Sequence, residues 1–252
     1  IAKRANISFT KLLLMQLCYE WSAMCTSVVT KVKGRNVHYR TMDWEMEFLK
    51  KLTVEVEFYK EGKLLYKAIS WAGCVGVMTG VSPGQYSIAL NFRISDKTFM
   101  HNLRRVLDGK WPVSYAIRHV LENNYDFGGA FSFLMKCQLV SPCYLTLCNA
   151  NSNWDSYVIT RDPERVIKVD GSNDYLIQTN KDNQLTSNGD NILMSSQRYG
   201  FVESKIKGAE NDWKSMGELI KALNIFPIIN DITIYLAIMD PETGYIYSDI
   251  IE

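Results

Sequence analysis

Residues 52–58, Leu52-Thr53-Val54-Glu55-Val56-Glu57-Phe58, alternate between apolar and polar positions. Period-two alternation is the signature of a half-buried strand. Lys60-Glu61-Gly62-Lys63 turns the chain, and 64–70 predicts the returning strand. Upstream, 25–32 is rich in β-branched residues, Lys33-Gly34-Arg35 reads as a turn, and 36–43 as a second return strand. Two more strands are predicted at 74–79 and 86–92, around Ser82-Pro83-Gly84. The middle changes period. Residues 101–123 and 126–139 carry helical spacing, broken by Trp111-Pro112 and Phe127-Gly128-Gly129. Strands resume at 143–149, 156–161, 165–170 and 174–179, and a polar loop covers 181–191. Helices fit 7–23 and 211–223, and a last hairpin fits 231–250 with its turn at Pro241-Glu242-Thr243-Gly244. Strand blocks around a helical insert predict an α+β fold: two stacked antiparallel sheets flanked by helices.

Composition narrows the function classes. The chain has 252 residues, 47% of them hydrophobic, enough for one large core. Net charge is +1, with no basic run and no asymmetry between the halves, so no nucleic-acid partner is expected. The run Leu12-Leu13-Leu14-Met15-Gln16-Leu17 is too short to span a bilayer and reads as part of an amphipathic helix. No secretory signal pattern is visible, and the start at Ile1 reads as the interior of a longer precursor. Asn6-Ile7-Ser8 is a lone glycosylation sequon. The six cysteines form no C-x-x-C pair and no H-E-x-x-H occurs, which argues against a zinc site; no metal or cofactor is expected.

The first hairpin carries the chemistry. With Gly34-Arg35 as a two-residue loop, Cys25 faces the stretch from Met42 to Trp44, and Asp43 lands beside the Cys25 backbone nitrogen. Arg40 lies three residues earlier, within reach of the thiol. A cation favours the thiolate, which is the reactive species. If the chain is cut before Cys25, the new α-amine, with a pKa of about 8, becomes a general base on the same residue. The plainer reading is a buried structural cysteine with Arg40 and Asp43 as a surface ion pair.

Cys25-Thr26-Ser27-Val28-Val29, followed by Gly34, His38, Arg40, Met42 and Asp43, resembles the acid ceramidase and N-acylethanolamine-hydrolysing acid amidase family. Further matches are Ala72-Gly73-Cys74-Val75-Gly76-Val77-Met78-Thr79-Gly80 with Pro83-Gly84, then Tyr157-Val158-Ile159-Thr160-Arg161-Asp162 and Gln178-Thr179-Asn180. Ser22-Ala23-Met24 stands where the small α-subunit of the family ends. The resemblance implies a four-layer αββα N-terminal-nucleophile (Ntn) hydrolase. It implies self-cleavage at Met24–Cys25, with 1–24 as the end of the small subunit and 25–252 as the catalytic subunit. Cys25 would be the nucleophile, Arg40 and Asp43 would tune it, Asn180 would donate to the oxyanion, and Arg198 would brace the site. Asn91 is a candidate second donor. Trp44, Phe48 and Trp71 are candidates for the acyl channel, with core or rim packing as the plainer role.

The implied substrate is an N-acyl lipid, ceramide or an N-acylethanolamine, with contact to a membrane surface and a lysosomal or secretory location. The other partner is the chain's own small subunit after cleavage. Two departures stand out. Thr41 follows Arg40 where the family has asparagine. Asn91-Phe92-Arg93 replaces Asn-Glu-Arg and is similar to the Leu-Asn-Phe element of choloylglycine hydrolases and penicillin V acylases. A substrate like theirs, or an N-acyl amino acid, is the alternative; an uncleaved lipid-binding pseudoenzyme is the non-enzyme alternative. Phenylalanine cannot titrate, so self-cleavage is expected to depend less steeply on acid pH than with glutamate.

Overall fold

The computed structural model describes residues 2–16, 24–94, 99–182 and 194–251. Two short helices come first, α1 (Ala2–Ala5) and α2 (Phe9–Gln16). One sheet is built from β1 (Met24–Val32), β2 (Arg35–Asp43), β10 (Leu176–Gln178), β11 (Asp212–Trp213), β12 (Thr233–Asp240) and β13 (Tyr245–Ile250). Its order is β10-β1-β2-β12-β13, antiparallel throughout, and the short β11 pairs parallel with β1. The second sheet runs in sequence order through β3 (Thr53–Lys60), β4 (Lys63–Trp71), β5 (Thr79–Ser82), β6 (Tyr86–Phe92), β7 (Cys143–Asn149), β8 (Ser156–Arg161) and β9 (Val166–Ser172). Helix α3 is Phe99–Leu107, α4 is Val113–Glu122, α5 is Phe127–Lys136, α6 is Ser195–Gly208 and α7 is Met216–Leu223.

Strand alternation sorts the side chains into layers. Val28, Val32, Tyr39, Leu236 and Ile238 face α6 and α7 and pack with Val202, Ile206, Leu219 and Leu223. On the far side, Ile88, Leu90, Leu145 and Leu147 pack with Ile117, Val120, Leu121 and Leu134 of α4 and α5. Each such side chain taken from water stabilises the fold by about 1.5–3 kcal/mol. The layer between the sheets is different: it holds hydrogen-bonded polar groups. Ser27 Oγ donates to Asn91 Oδ1 at 2.7 Å, and His38 Nδ1 lies 3.1 Å from Ser87 Oγ. The architecture is αββα, as the sequence leads one to expect.

Several expectations are corrected. The first turn sits one residue earlier than expected, at Lys33-Gly34, both at positive φ; Cys25 pairs with Met42, at one end of the expected stretch, and Asp43 pairs with Met24. Residues 74–78 are not a strand. Val77 N donates to Ser114 O and Val75 O accepts from Arg118, so α4 takes the backbone groups a sheet would use. The break expected at Trp111-Pro112 does separate α3 from α4, whereas 211–223, expected as one helix, contains β11 before α7. Of the 7–23 helix, 17–23 lie outside the described residues, as do 183–191 of the polar loop.

Candidate active site

Cys25 opens the buried part of β1, and the groups around it come from β2, β5, β6 and β12, from the bend after β10 and from α6. From β2, Arg40 Nη2 donates to Cys25 Sγ at 3.1 Å and to Leu90 O at 2.8 Å. The other arm, Nη1, reaches Tyr235 Oη of β12 at 3.1 Å and the Thr79 hydroxyl of β5. Arg40 is fully buried, and each arm is tied to the opposite sheet, so the guanidinium is held against the thiol. A guanidinium stays charged in such a place where an ammonium or imidazole would not. Met42 Sδ lies 3.8 Å from the thiol.

The backbone nitrogen of Cys25 donates to Asn180 Oδ1 at 2.8 Å. Arg198 of α6 donates to the same oxygen at 3.1 Å, and Asn180 Nδ2 donates to Phe92 O at 2.8 Å. Two donors on one side and a carbonyl on the other fix which way the amide points. Arg198 also donates to Cys25 O and to Thr26 Oγ1, both at 2.8 Å. It is fully buried, which rules out a solvated helix arginine. Met194, in the left-handed conformation, opens α6, and the Arg198 side chain points inward from its first turn.

Asp43 is close but not where the hairpin reading put it. Its carboxylate accepts from Thr233 Oγ1 at 2.9 Å and lies 3.7 Å from Arg198 Nη1. Burial raises its carboxyl to about 6, against the pull of Arg198, Thr233 and Arg40. The contact at the Cys25 nitrogen expected of Asp43 belongs to Asn180, because the register places Asp43 opposite Met24.

Asn91 lies one contact further out, donating to Gln178 O at 2.9 Å and accepting from Ser27. It joins the sheets two residues along β1 from the thiol. Phe92 falls on the opposite face of β6 from Asn91, and only its backbone carbonyl meets the site. Trp44 and Trp71 are buried and touch, with ring centroids 5.6 Å apart. Phe48 is 60% exposed on a 3-10 turn and stands apart from them. A seam lined in part by Trp71, Gly76, Met78 and Tyr235 has no space for a water molecule, and Tyr235 links it to Arg40. A cleft of about 800 Å³ at Gly84, Asn149, Trp154 and Tyr157 touches none of these residues.

The sequence missed Thr79, Tyr235 and Thr233, which hold Arg40 and Asp43. They carry no local signal, since each reaches the site through strand order. Among the described residues no group of histidine, cysteine and carboxylate side chains could hold a metal ion. No described helix is long and apolar enough to cross a membrane.

No protein-family model matches the chain. An uncharacterized protein of Acanthamoeba polyphaga mimivirus is 35% identical over 93% of the chain and 74% of its own length. The N-acylethanolamine-hydrolyzing acid amidase of Caenorhabditis elegans is 30% identical over 96% of the chain and 70% of its own length. The acid ceramidase of Heterocephalus glaber is 31% identical over 95% of the chain, which spans 65% of that protein. Among solved structures, a Caenorhabditis elegans ortholog of the acid amidase superposes with a TM-score of 0.73 at 28% identity, covering 86% of this chain and 93% of that one. A conjugated bile acid hydrolase from Clostridium perfringens shares the fold, with a TM-score of 0.62 at 16% identity over 91% of this chain and 90% of its own. With a buried thiol at the start of β1 and relatives of this identity along nearly its whole length, the chain belongs to the acid ceramidase and N-acylethanolamine-hydrolysing acid amidase family and has its N-terminal-nucleophile fold.

Proposed function

We propose that this chain is a cysteine amidase that hydrolyses the amide bond of an N-acyl lipid, a ceramide or an N-acylethanolamine, after cutting itself between Met24 and Cys25. The observation that carries the reading is the pairing at Cys25: a guanidinium 3.1 Å from its sulfur, and an amide oxygen 2.8 Å from its nitrogen. One residue thus has both of its reactive groups held. In self-cleavage the Cys25 thiol adds to the Met24 carbonyl. The C–N bond breaks, the nitrogen takes the thiol proton, and a thioester forms. Water then hydrolyses the thioester, leaving a Met24 carboxylate and a free α-amine on Cys25. The products are 1–24, the end of a small subunit, and 25–252, the catalytic subunit.

In turnover the α-amine takes the thiol proton and Arg40 stabilises the thiolate. The sulfur attacks the substrate carbonyl. Asn180 Nδ2 is the donor to the oxyanion, exchanging Phe92 O for the new charge. Collapse expels the amine, which leaves with the proton held by the α-ammonium. Water, deprotonated by the α-amine, cleaves the acyl thioester and releases the fatty acid. Arg198 keeps Asn180 and the Cys25 carbonyl in place, and Asp43 holds Arg198 and the strand beside the cut. Trp44 and Trp71 flank the acyl path. A lysosomal or secretory location and contact with a lipid surface belong to this reading.

Palmitoyl amides of ethanolamine, sphingosine, glycine and taurine, assayed side by side, test the substrate class. Faster turnover with ethanolamine or sphingosine supports it. Preference for glycine or taurine moves the chain to the N-acyl amino-acid or bile-salt type, and no turnover by a split chain refutes an amidase.

A further inference from the structure

Asn180 lies beyond the end of β10, in a bend, and its amide must hold one angle once Phe92 O has given way to the substrate. The end of β6 reaches this bend at three successive residues. Asn91 Nδ2 donates to Gln178 O at 2.9 Å, Phe92 O accepts from Asn180 Nδ2 at 2.8 Å, and Arg93 meets Asp182. The last contact is a fork: Arg93 Nε donates to Asp182 Oδ1 at 2.9 Å and Nη2 donates to Oδ2 at 2.7 Å. Tyr144 of β7, opposite Asn91 in register, donates its hydroxyl to the same Oδ1 at 2.7 Å.

Two parallel N–H···O bonds between a guanidinium and a carboxylate fix the orientation of both groups, which a single-point contact does not. The Arg93 and Asp182 side chains are 15% and 23% exposed, so water screens the pair less than it does an ordinary surface bridge. The Arg93 hydrogen bonds hold the Asp182 carboxyl below its ordinary value against the effect of burial, so both partners stay charged. Burial and Asp182 push the Tyr144 phenol up, so it remains a hydroxyl that can donate. Within the bend, Gln178 Nε2 donates to Lys181 O at 2.9 Å. Residue 180 is therefore pinned on both sides, at 178 and at 182, to the strand end whose carbonyl meets its own side chain.

We infer that Arg93 and Asp182, with Tyr144, are positioning residues for Asn180: the fork holds the bend so that the amide keeps its angle to the Cys25 nitrogen and, in turnover, to the oxyanion. The kinetic half of this inference rests on the amidase reading, while the hold on the Cys25 nitrogen stands without it. A donor displaced from its line to the developing charge loses part of what it gives the transition state and little of ground-state binding. The effect of breaking the fork therefore belongs in kcat, and it must run through Asn180.

Two measurements test this on Asp182→Ala, with Arg93→Lys as a milder variant that keeps the charge but not the fork. In the first, every chain carries Cys25→Ala so that it stays whole. Hydrogen exchange is read at the amide of residue 25, which donates to Asn180, and at the Val29 amide further along β1. Asp182→Ala should speed exchange at residue 25 by about tenfold more than at Val29. An equal change at both amides, or none, overturns the hold on Asn180. In the second, Cys25 is present and kcat is taken per split chain, in the parent and in an Asn180→Ala background. Asp182→Ala should lower kcat by about tenfold and Arg93→Lys by about threefold, with KM nearly unchanged. Once Asn180 is replaced, neither should lower kcat further by more than about twofold. The same loss in both backgrounds, or a loss confined to KM, overturns the positioning role. A parent chain that splits but hydrolyses no amide refutes the amidase reading and takes the kinetic half with it, while the exchange result still decides the hold.

Discussion

Cys25 and Cys148 are both fully buried, on strands that face each other across the layer between the sheets. At Cys148, burial pushes the thiol up to about 12, and the Ser87 and Ser156 hydroxyls pull it back only in part. Cys25 has Arg40 Nη2 at 3.1 Å. On the Cys148 side, His38 Nδ1 lies 3.1 Å from Ser87 Oγ, the hydroxyl that also meets the Cys148 thiol. Burial, reinforced by Arg40, lowers His38 to about 3, so it stays neutral. The contrast explains why the proposed nucleophile is served by arginine. In a layer this dry an imidazole gives up its proton, as His38 does, whereas a guanidinium keeps its charge. Cys148 has the sulfur and the burial, the imidazole on its side is neutral, and it is a packing residue beside Val29 and Tyr144.

The contrast is broken most directly by making the Cys25 end resemble the Cys148 end. Arg40→His should lower self-cleavage and turnover about a hundredfold at neutral pH, because the buried imidazole is uncharged and the thiolate loses its partner. The check is the initial rate of splitting on gels, with folding followed by circular dichroism; a rate near the parent's would remove the cation from the account. Asn180→Ala should lower kcat by about a hundredfold with little change in KM, the signature of a lost oxyanion donor. An effect in KM alone would make Asn180 a binding residue.

Asp43 gives a smaller, pH-dependent effect. Its carboxyl is raised to about 6 from an ordinary value of 3.8. The folded state therefore binds the proton more readily than the unfolded one. The stability from this group is fully present below about pH 4 and is lost as pH rises through about 6, a change of roughly 3 kcal/mol. Asp43→Asn should flatten that slope, measured as urea midpoints from about pH 4 to pH 7 for both proteins. Equal slopes would mean that Asp43 titrates normally. The smallest effect is expected of Phe92→Glu. Position 92 turns its side chain away from the Asn91 face, so the pH profile of self-cleavage should move by less than about half a unit. A larger shift would place that side chain at the cut.

The hairpin was legible because its signals are local. β-Branched residues, a Lys-Gly turn and a returning strand bring Arg40 to Cys25 whichever of two adjacent turns is chosen. The exact register was not legible, and the one-residue error moved Asp43 from its place opposite Met24 to the Cys25 nitrogen. Val75-Gly76-Val77-Met78 looks like a strand to any period-two reading, yet its backbone is claimed by Ser114, Arg118 and Gln16, all far away in sequence. Helix α6 escaped notice for a related reason. Its buried positions include Ser195 and Arg198, so the apolar stripe that marks a helix is interrupted where it meets the site. Asn180 and Arg198 were found by family resemblance, which carries over positions but not their hydrogen-bond partners.

The central claim is that Cys25 alone, of the buried cysteines, cuts the chain. Intact mass spectrometry of the purified parent, Cys25→Ala and Cys148→Ala proteins, after incubation under one set of conditions, measures this directly. The account predicts two pieces separated between Met24 and Cys25 for the parent and for Cys148→Ala, and a single uncut mass for Cys25→Ala. A parent that stays whole, or a Cys25→Ala chain that splits at the same bond, would contradict it.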